Sequence, residues 1–230
     1  MLMANKQTYV EHRYTLNPRL VEKIKSMTPV FDYGNFGQAV FYRTYARTKQ
    51  DKTLETWNDV VIRVMEGVLS IRKDWCMKHY LPWDEAFWDH YSIGMALSLF
   101  NMKWTPPGRG LWTMGSDFVY ERGSMALQNC GFTNVEDSIG EDCHWMMDAL
   151  MCGVGVGFNP IRNDDIKVYH PSDKERTFVI QDTRESWCDS VRERINSFLY
   201  SGSQTVNFDY SLIRPEGEPI NGFGGLASGP

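Results

Sequence analysis

Cys130 is the residue of this 230-residue chain best placed to do chemistry. It lies in Ala126-Leu127-Gln128-Asn129-Cys130-Gly131-Phe132-Thr133-Asn134-Val135. There Leu127, Asn129 and Gly131 alternate with Gln128, Cys130 and Phe132, the period of a β-strand. A thiol on a strand can be held still. Two glycine-bearing stretches flank it, Thr105-Pro106-Pro107-Gly108-Arg109-Gly110-Leu111-Trp112 before and Cys152-Gly153-Val154-Gly155-Val156-Gly157-Phe158 after. Glycine lets main-chain amides approach a ligand closely, so the three stretches together suggest a pocket for a polar molecule. The same pattern also describes a buried, inert cysteine between ordinary turns, free cysteine being among the most buried residue types.

Other chemistries fit less well. Cys143 and His144 are neighbours on a helix and point to different sides of it, and with Cys130 and Cys152 they show no paired ligand spacing, so no metal site is expected. The run Gly153-Val154-Gly155-Val156-Gly157 is not Gly-x-Gly-x-x-Gly and follows a helix rather than a strand, which argues against a dinucleotide loop. The five cysteines are odd in number and lack Cys-x-x-Cys spacing, which favours a reducing, cytoplasmic setting. A net charge of -5 and pI near 5.6 argue against a general affinity for nucleic acid, while leaving room for a local basic pocket. Residues 1–26 carry seven charged side chains, from Lys6 to Lys25, without an apolar core. No run reaches the length of a membrane span, so neither a secretory signal nor a membrane partner is expected.

The elements that must position these residues read as follows. A helix is expected over Asn17–Met27, then an aromatic and glycine-rich connection from Phe31 to Phe41. A longer helix starts at Thr56, with Trp57, Val60, Val61, Val64, Met65 and Val68 on one face. Another opens at Pro82-Trp83-Asp84, with Phe87, Trp88, Tyr91, Met95 and Leu99 as its apolar face. Ser138-Ile139-Gly140-Glu141 reads as a capping box before a short helix, and a strand is expected around Val156–Asn159. Strand, helix, strand implies a parallel sheet. Further on, a short strand at Thr177–Ile180, a helix from Asp182 or Thr183 to Tyr200 burying Trp187, Val191, Ile195, Phe198 and Leu199, and a strand at Thr205–Tyr210 are expected. The glycine-rich stretch 212–230 reads as a loop.

Taken together, Phe41-Tyr42-Arg43-Thr44-Tyr45-Ala46-Arg47, the Glu55-Thr56-Trp57-Asn58 to Glu66-Gly67 helix, Gly108-Arg109-Gly110-Leu111-Trp112, residues 126–132, Gly153 to Phe158, and Ile213-Arg214-Pro215 to Gly229-Pro230 resemble, in this order, the N-terminal part of adenosylcobalamin-dependent (class II) ribonucleotide reductases. The monomeric ribonucleoside-triphosphate reductases are the nearest type. The resemblance implies an α/β fold: a helical N-terminal region, 1–101, followed over 102–230 by the first strands of a ten-stranded α/β barrel, with an effector-site insertion at about 163–209. Gln181-Asp182-Thr183-Arg184-Glu185-Ser186-Trp187 resembles a run within that insertion.

By the same resemblance, Cys130 is one of a pair of cysteines that reduce the ribose and end as a disulfide. A thiol pair suits this task because it is both proton donor and reductant. Pro107, Gly108, Arg109, Asn129 and Gly155 are implied to line the substrate pocket. Asp137, Arg162 and Arg214 are implied to contact a deoxynucleoside triphosphate effector, guanidinium suiting a phosphate; solvated arginines and a helix-start aspartate are the plainer reading of those three. The implied partners are a ribonucleoside triphosphate substrate and a thioredoxin-type reductant, and the implied cofactor is adenosylcobalamin, bound mainly by the remainder of the enzyme.

Two departures stand out. Val154 replaces the middle glycine of the family's Gly-Gly-Gly-Val-Gly-Phe run, an exchange expected to narrow the approach to substrate. The sequence also holds no Asn-Pro-Cys-Gly-Glu loop for the radical-forming cysteine and no second reducing cysteine. The expectation is therefore the N-terminal subunit of a split reductase, completed by a C-terminal polypeptide carrying the radical cysteine. The other reading is a non-catalytic, nucleotide-binding regulatory module derived from such an enzyme.

Overall fold

The computed structural model describes residues 8–49, 51–135, 138–160, 166–220 and 225–230. It divides into two compact units, Met1–Leu127 and Gln128–Pro230. Residues 102–127 group with the helices before them.

The first unit is helical: α1 (Pro18–Ser26), α2 (Asn35–Thr44), α3 (Trp57–Lys78), α4 (Glu85–Phe100), α5 (Gly108–Thr113) and α6 (Asp117–Arg122), followed by a 3-10 turn over Gly123–Leu127. α3 is its axis. Thr56 and Asp59 form a reciprocal capping box at its start, satisfying amides that the first turn leaves without helical partners. Of its expected stripe, Trp57, Val60, Val61, Val64 and Met65 are buried and Val68 partly so, against Leu20 and Ile24 of α1, Phe41 of α2 and Ala96, Leu99 and Phe100 of α4.

The stretch before α1 lies along α3 as an extended strap. Its backbone amides are received by side chains spaced four apart on one face of α3. Leu16 N donates to Glu66 Oε1 (3.0 Å), Tyr14 N to Ser70 Oγ (2.9 Å), and Glu11 N and His12 N to Asp74 Oδ1 (2.8 and 3.0 Å). Burial works against the charge of Asp74, but the bonds from His12, Lys78 and Glu11 outweigh it and hold its carboxyl down to about 2. Burial pushes Glu66 the other way, up.

Three expectations in this unit need correction. The connection from Phe31 to Phe41 contains a helix, α2. The Pro107–Gly110 turn opens another, α5. In α4 the buried residues are Ser92, Ala96, Leu99 and Phe100, whereas Phe87 and Tyr91 are about half exposed. α4 is apolar on almost every side, so periodicity could not choose its face. Small Ser92 and Ala96 permit the closest approach, and the rings are displaced outward.

The second unit contains two strand–helix–strand passages: β1 (Cys130–Val135), α7 (Ile139–Met151), β2 (Gly155–Pro160), then β3 (Ser172–Val179), α8 (Arg184–Leu199), β4 (Gln204–Asp209). In each the two strands pair in parallel, as expected of strands joined by a crossover helix. β1 begins at Cys130, so Ala126 and Leu127 lie in the 3-10 turn instead of the strand. Ser138 precedes α7, but its side chain makes no capping bond; at φ −109° and ψ 51° it is outside the extended conformation that aims a hydroxyl at the third amide. β3 is longer than expected.

α8 buries Ser186, Cys188, Ser190 and Ser197, while Phe198 is exposed. The helix lies between α7 and the β3–β4 pair. It meets α7 through Arg184, Cys188, Asp189, Arg192 and Asn196, the last close enough that a Cβ on Gly140 would collide with it. Another face meets the sheet, where Arg176 pairs with Glu193 and the Arg194 guanidinium lies 4.9 Å from the Phe208 ring.

Candidate functional site

Strand alternation decides what surrounds Cys130. Register partners on adjacent strands share a face, and here Cys130 is opposite Gly155 and Phe132 opposite Gly157. Cys130, Phe132 and Asn134 are exposed, as are Gly155, Gly157 and Asn159, whereas Gly131, Thr133 and Val135 are half buried. The second set faces α7: a Cβ on Gly131 would lie 3.2 Å from the Trp145 ring and 3.4 Å from Val154 Cγ1. One face of β1–β2 is therefore packed on α7, and the other carries an exposed thiol. The inert-cysteine alternative does not hold for Cys130. It describes Cys76, Cys152 and Cys188, all buried.

The structure brings Asn129, Cys130 and Gly155 together. Gly155 N donates to Asn129 O at 2.8 Å. A Cβ on Gly155 would meet only that carbonyl oxygen, at 3.5 Å, so the glycine leaves open space next to the thiol. Val154 does not narrow this face. Its side chain is 3% exposed and packs against Gly131 on the α7 side.

The other candidate substrate residues belong to the first unit. Pro107 precedes α5, whose first residues are Gly108 and Arg109. A Cβ on Gly108 would press on the Tyr45 ring at 3.2 Å. The Arg109 guanidinium lies 5.4 Å from the Trp112 ring centre and that of Arg47 lies 5.6 Å from it, within cation–π range. Arg63 secures the turn after α5: it donates to Glu55, to Leu111 O (2.9 Å) and to Met114 O (2.5 Å). A Cβ on Gly67 of α3 would collide with Gly115 in that turn.

Of the candidate effector residues, Asp137 and Arg162 lie outside the described residues. Arg214 Nε donates to both oxygens of Asp182, at 3.0 and 2.8 Å, and Nη1 donates to Pro219 O at 3.0 Å. Sequence reasoning missed the group next to it. Arg184, two residues beyond Asp182, reaches α7, where it pairs with Asp148 and donates to Cys152 Sγ at 3.0 Å. Cys188 Sγ lies 3.9 Å from the same Asp148 oxygen, and burial first, then this carboxylate, pushes its thiol up to about 12. Burial opposes the charge of Arg184, but Cys152, Asp148 and Glu185 outweigh it and hold its pKa above the ordinary value. The only signal in the sequence was the likeness of residues 181–187 to a family run. Among the described residues no three His, Cys, Asp or Glu gather as a metal site, and no helix is long and apolar enough to cross a membrane.

Comparison with known proteins agrees along the chain. Residues 16–116 match the ribonucleotide reductase alpha domain, and residues 161–230 match the insertion domain of B12-dependent ribonucleotide reductase. The adenosylcobalamin-dependent ribonucleoside-triphosphate reductase of Euglena gracilis is 37% identical over 95% of this chain and 31% of its own length. A probable enzyme of the same description from Dictyostelium discoideum is 33% identical over 94% of this chain and 31% of its own length. The crystal structure of a B12-dependent (class II) ribonucleotide reductase superposes with a TM-score of 0.75 at 25% identity, over 94% of this chain and 38% of that one. The chain thus spans about a third of the length of the relatives it matches, and it belongs to the adenosylcobalamin-dependent, class II ribonucleotide reductase family, corresponding to the N-terminal portion of those enzymes.

Proposed function

We propose that this chain is the N-terminal subunit of a split class II reductase that converts ribonucleoside triphosphates to 2'-deoxyribonucleotides. A separate polypeptide with the remaining strands and the radical cysteine completes it. Residues 102–230 then form the first part of a ten-stranded barrel, with the effector-site insertion at about 163–209. The observation that carries this reading is the exposed thiol of Cys130 on an uncovered face of a two-stranded parallel sheet, in register with Gly155. Parallel sheets normally have both faces covered, and two strands alone are marginal. A face bearing a thiol and two glycines is built to be completed around a substrate.

In the proposed chemistry Cys130 and a second thiol from the partner each give up one electron and one proton equivalent. The 2'-hydroxyl leaves as water, a C2'–H bond takes its place, and the two sulfurs join as a disulfide. A thioredoxin-type dithiol reduces that disulfide for the next turnover. On this reading Asn129 and Gly155 bound the substrate beside the thiol, the family resemblance also gives Pro107, Gly108 and Arg109 a substrate role, and Asp137, Arg162 and Arg214 receive a deoxynucleoside triphosphate effector. Adenosylcobalamin, when bound, supplies the initiating radical. The described residues gather no ligand set for its cobalt.

The test is purification of the chain from its native source, identification of any stoichiometric partner, and assay of ribonucleotide reduction with and without adenosylcobalamin. A partner containing Asn-Pro-Cys-Gly-Glu, with cobalamin-dependent reduction only in the complex, is the expected result. A lone chain that binds nucleotides but gains no activity from any partner would replace the enzyme reading with that of a regulatory module.

A further inference from the structure

We propose that Arg184 is a positioning residue that couples the Arg214 anion site to the strand opposite Cys130. The proposal deepens the effector reading above and rests on it. It follows from where two neighbouring ion pairs lead. Arg214 is held by Asp182 through a two-oxygen contact at 2.8 and 3.0 Å. Asp182 adjoins Thr183, the N-cap of α8, whose hydroxyl accepts from Ser186 N (3.2 Å), while Ser186 Oγ accepts from Gln181 N (2.9 Å). This short closed circuit ties residues 181–186 together. The next side chain, Arg184, leaves the circuit for α7 and pairs with Asp148 and Cys152.

Cys152 is the residue at which α7 ends, completely buried, and three residues later β2 begins at Gly155, the register partner of Cys130. Only one rigid turn separates the carboxylate on Arg214 from the guanidinium that fixes the entry to β2. Such a turn moves as a unit, because Gln181 N, Thr183 N and Ser186 N are all bonded within it. An anion arriving at Arg214 must displace Asp182 or share the guanidinium with it, since the two compete for the same donors. Either outcome shifts the start of α8, and Arg184 is the side chain that carries the shift to the strand facing the thiol. The coupling element is thus a named pair of contacts flanking one cap.

The coupling is testable in the full chain without any nucleotide, by a double-mutant cycle read through amide hydrogen exchange. Arg214→Gln removes the hold on Asp182, as a captured phosphate would, and should change exchange at the amides of residues 153–158 by about fivefold. In an Arg184→Gln background the same substitution should leave those amides unmoved, and Arg184→Lys should restore part of the response by keeping the charge. A purely structural role for Arg184 predicts instead that Arg184→Gln alters basal exchange while the effect of Arg214→Gln persists. That persistence, or an Arg214→Gln variant with no effect on residues 153–158, would overturn the proposal. Binding of each of the four deoxynucleoside triphosphates to the same preparations tests the effector reading separately. Loss of nucleotide binding in Arg214→Gln, with retention in Arg184→Gln, supports both assignments. Wild-type protein that binds none overturns the effector reading and the relay built on it.

Discussion

Adding one methyl group to either face of β1–β2 should have opposite consequences, because the two faces have different neighbours. At Gly155 a Cβ meets a single carbonyl oxygen at 3.5 Å, an ordinary contact. Gly155→Ala therefore gains the conformational entropy that glycine forfeits on folding, about 0.5 kcal/mol, and the protein should be as stable as the parent or slightly more so. At Gly131 the same methyl lies 3.2 Å from the Trp145 ring and 3.4 Å from Val154, so α7 must move or the ring must turn. Overpacking of this kind costs roughly 1–3 kcal/mol, which exceeds the entropic gain and leaves Gly131→Ala destabilised by about 1 kcal/mol. Urea unfolding measures both. Activity should divide the other way. A methyl at Gly155 stands next to the thiol, and displacement of a bound substrate by about 1 Å is worth on the order of a hundredfold in rate. Gly155→Ala should thus fold normally and reduce ribonucleotides poorly in the completed enzyme, whereas Gly131→Ala should lose stability and keep most of its rate. Full activity in a stable Gly155→Leu variant would refute the substrate assignment of this face, and a Gly131→Ala protein more stable than the parent would refute the packing argument.

Other outcomes follow from the same coordinates. Cys130→Ser should abolish multiple-turnover reduction by the completed enzyme, read as deoxyribonucleotide formed per site, without altering the urea midpoint, since the side chain is exposed; sustained turnover would remove its role. Gly67→Ala should destabilise by about 2 kcal/mol despite better helix propensity, because its Cβ collides with backbone at Gly115, whereas Gly94→Ala, with nothing within 4 Å, should stabilise by about 0.5–1 kcal/mol. Paired thermal melts decide this contrast. Asp74 is held down to about 2 in the folded protein, below its unfolded value, so its contribution is present above the unfolded pKa near 4 and is lost as pH falls toward 2, amounting to about 2 kcal/mol. Asp74→Asn should flatten that limb of the stability–pH curve, and an unchanged acid limb would show that the strap contacts do not bind the ionised form.

The α3 stripe, the parallel pairing of β1 with β2 and the place of Cys130 were all legible in the sequence. In each case side-chain period gave the element, and for α3 cap chemistry pointed the same way. α4 and α8 were recognised as helices but misjudged in their buried faces. α4 offers apolar residues around its whole circumference, and α8 is packed on two sides, so that serines and Cys188 are buried in place of its larger side chains. A hydrophobicity pattern records what could be buried and is silent on how closely a neighbour can approach, which here decides in favour of Ser92, Ala96 and Gly140. The Arg184 contacts were out of reach for a different reason. They join residues 148, 152 and 184, whose proximity is created only when α7 packs against α8.

The strap before α1 is recognised through its main chain: Glu66, Ser70 and Asp74 take backbone amides, and every residue type except proline carries one. The path of the strap is thus set from the helix side at these three positions, while its own Tyr14 and Leu16 anchor it by burial in the core. Mutational drift at Glu11 and Thr15 should be tolerated provided that no proline enters at positions 11, 12, 14 or 16, while Tyr14, Leu16 and the three receiving positions remain under constraint. Over evolutionary time such an arrangement lets the exposed positions of the leading segment diverge, between anchors at Tyr14 and Leu16, while its path over α3 stays the same.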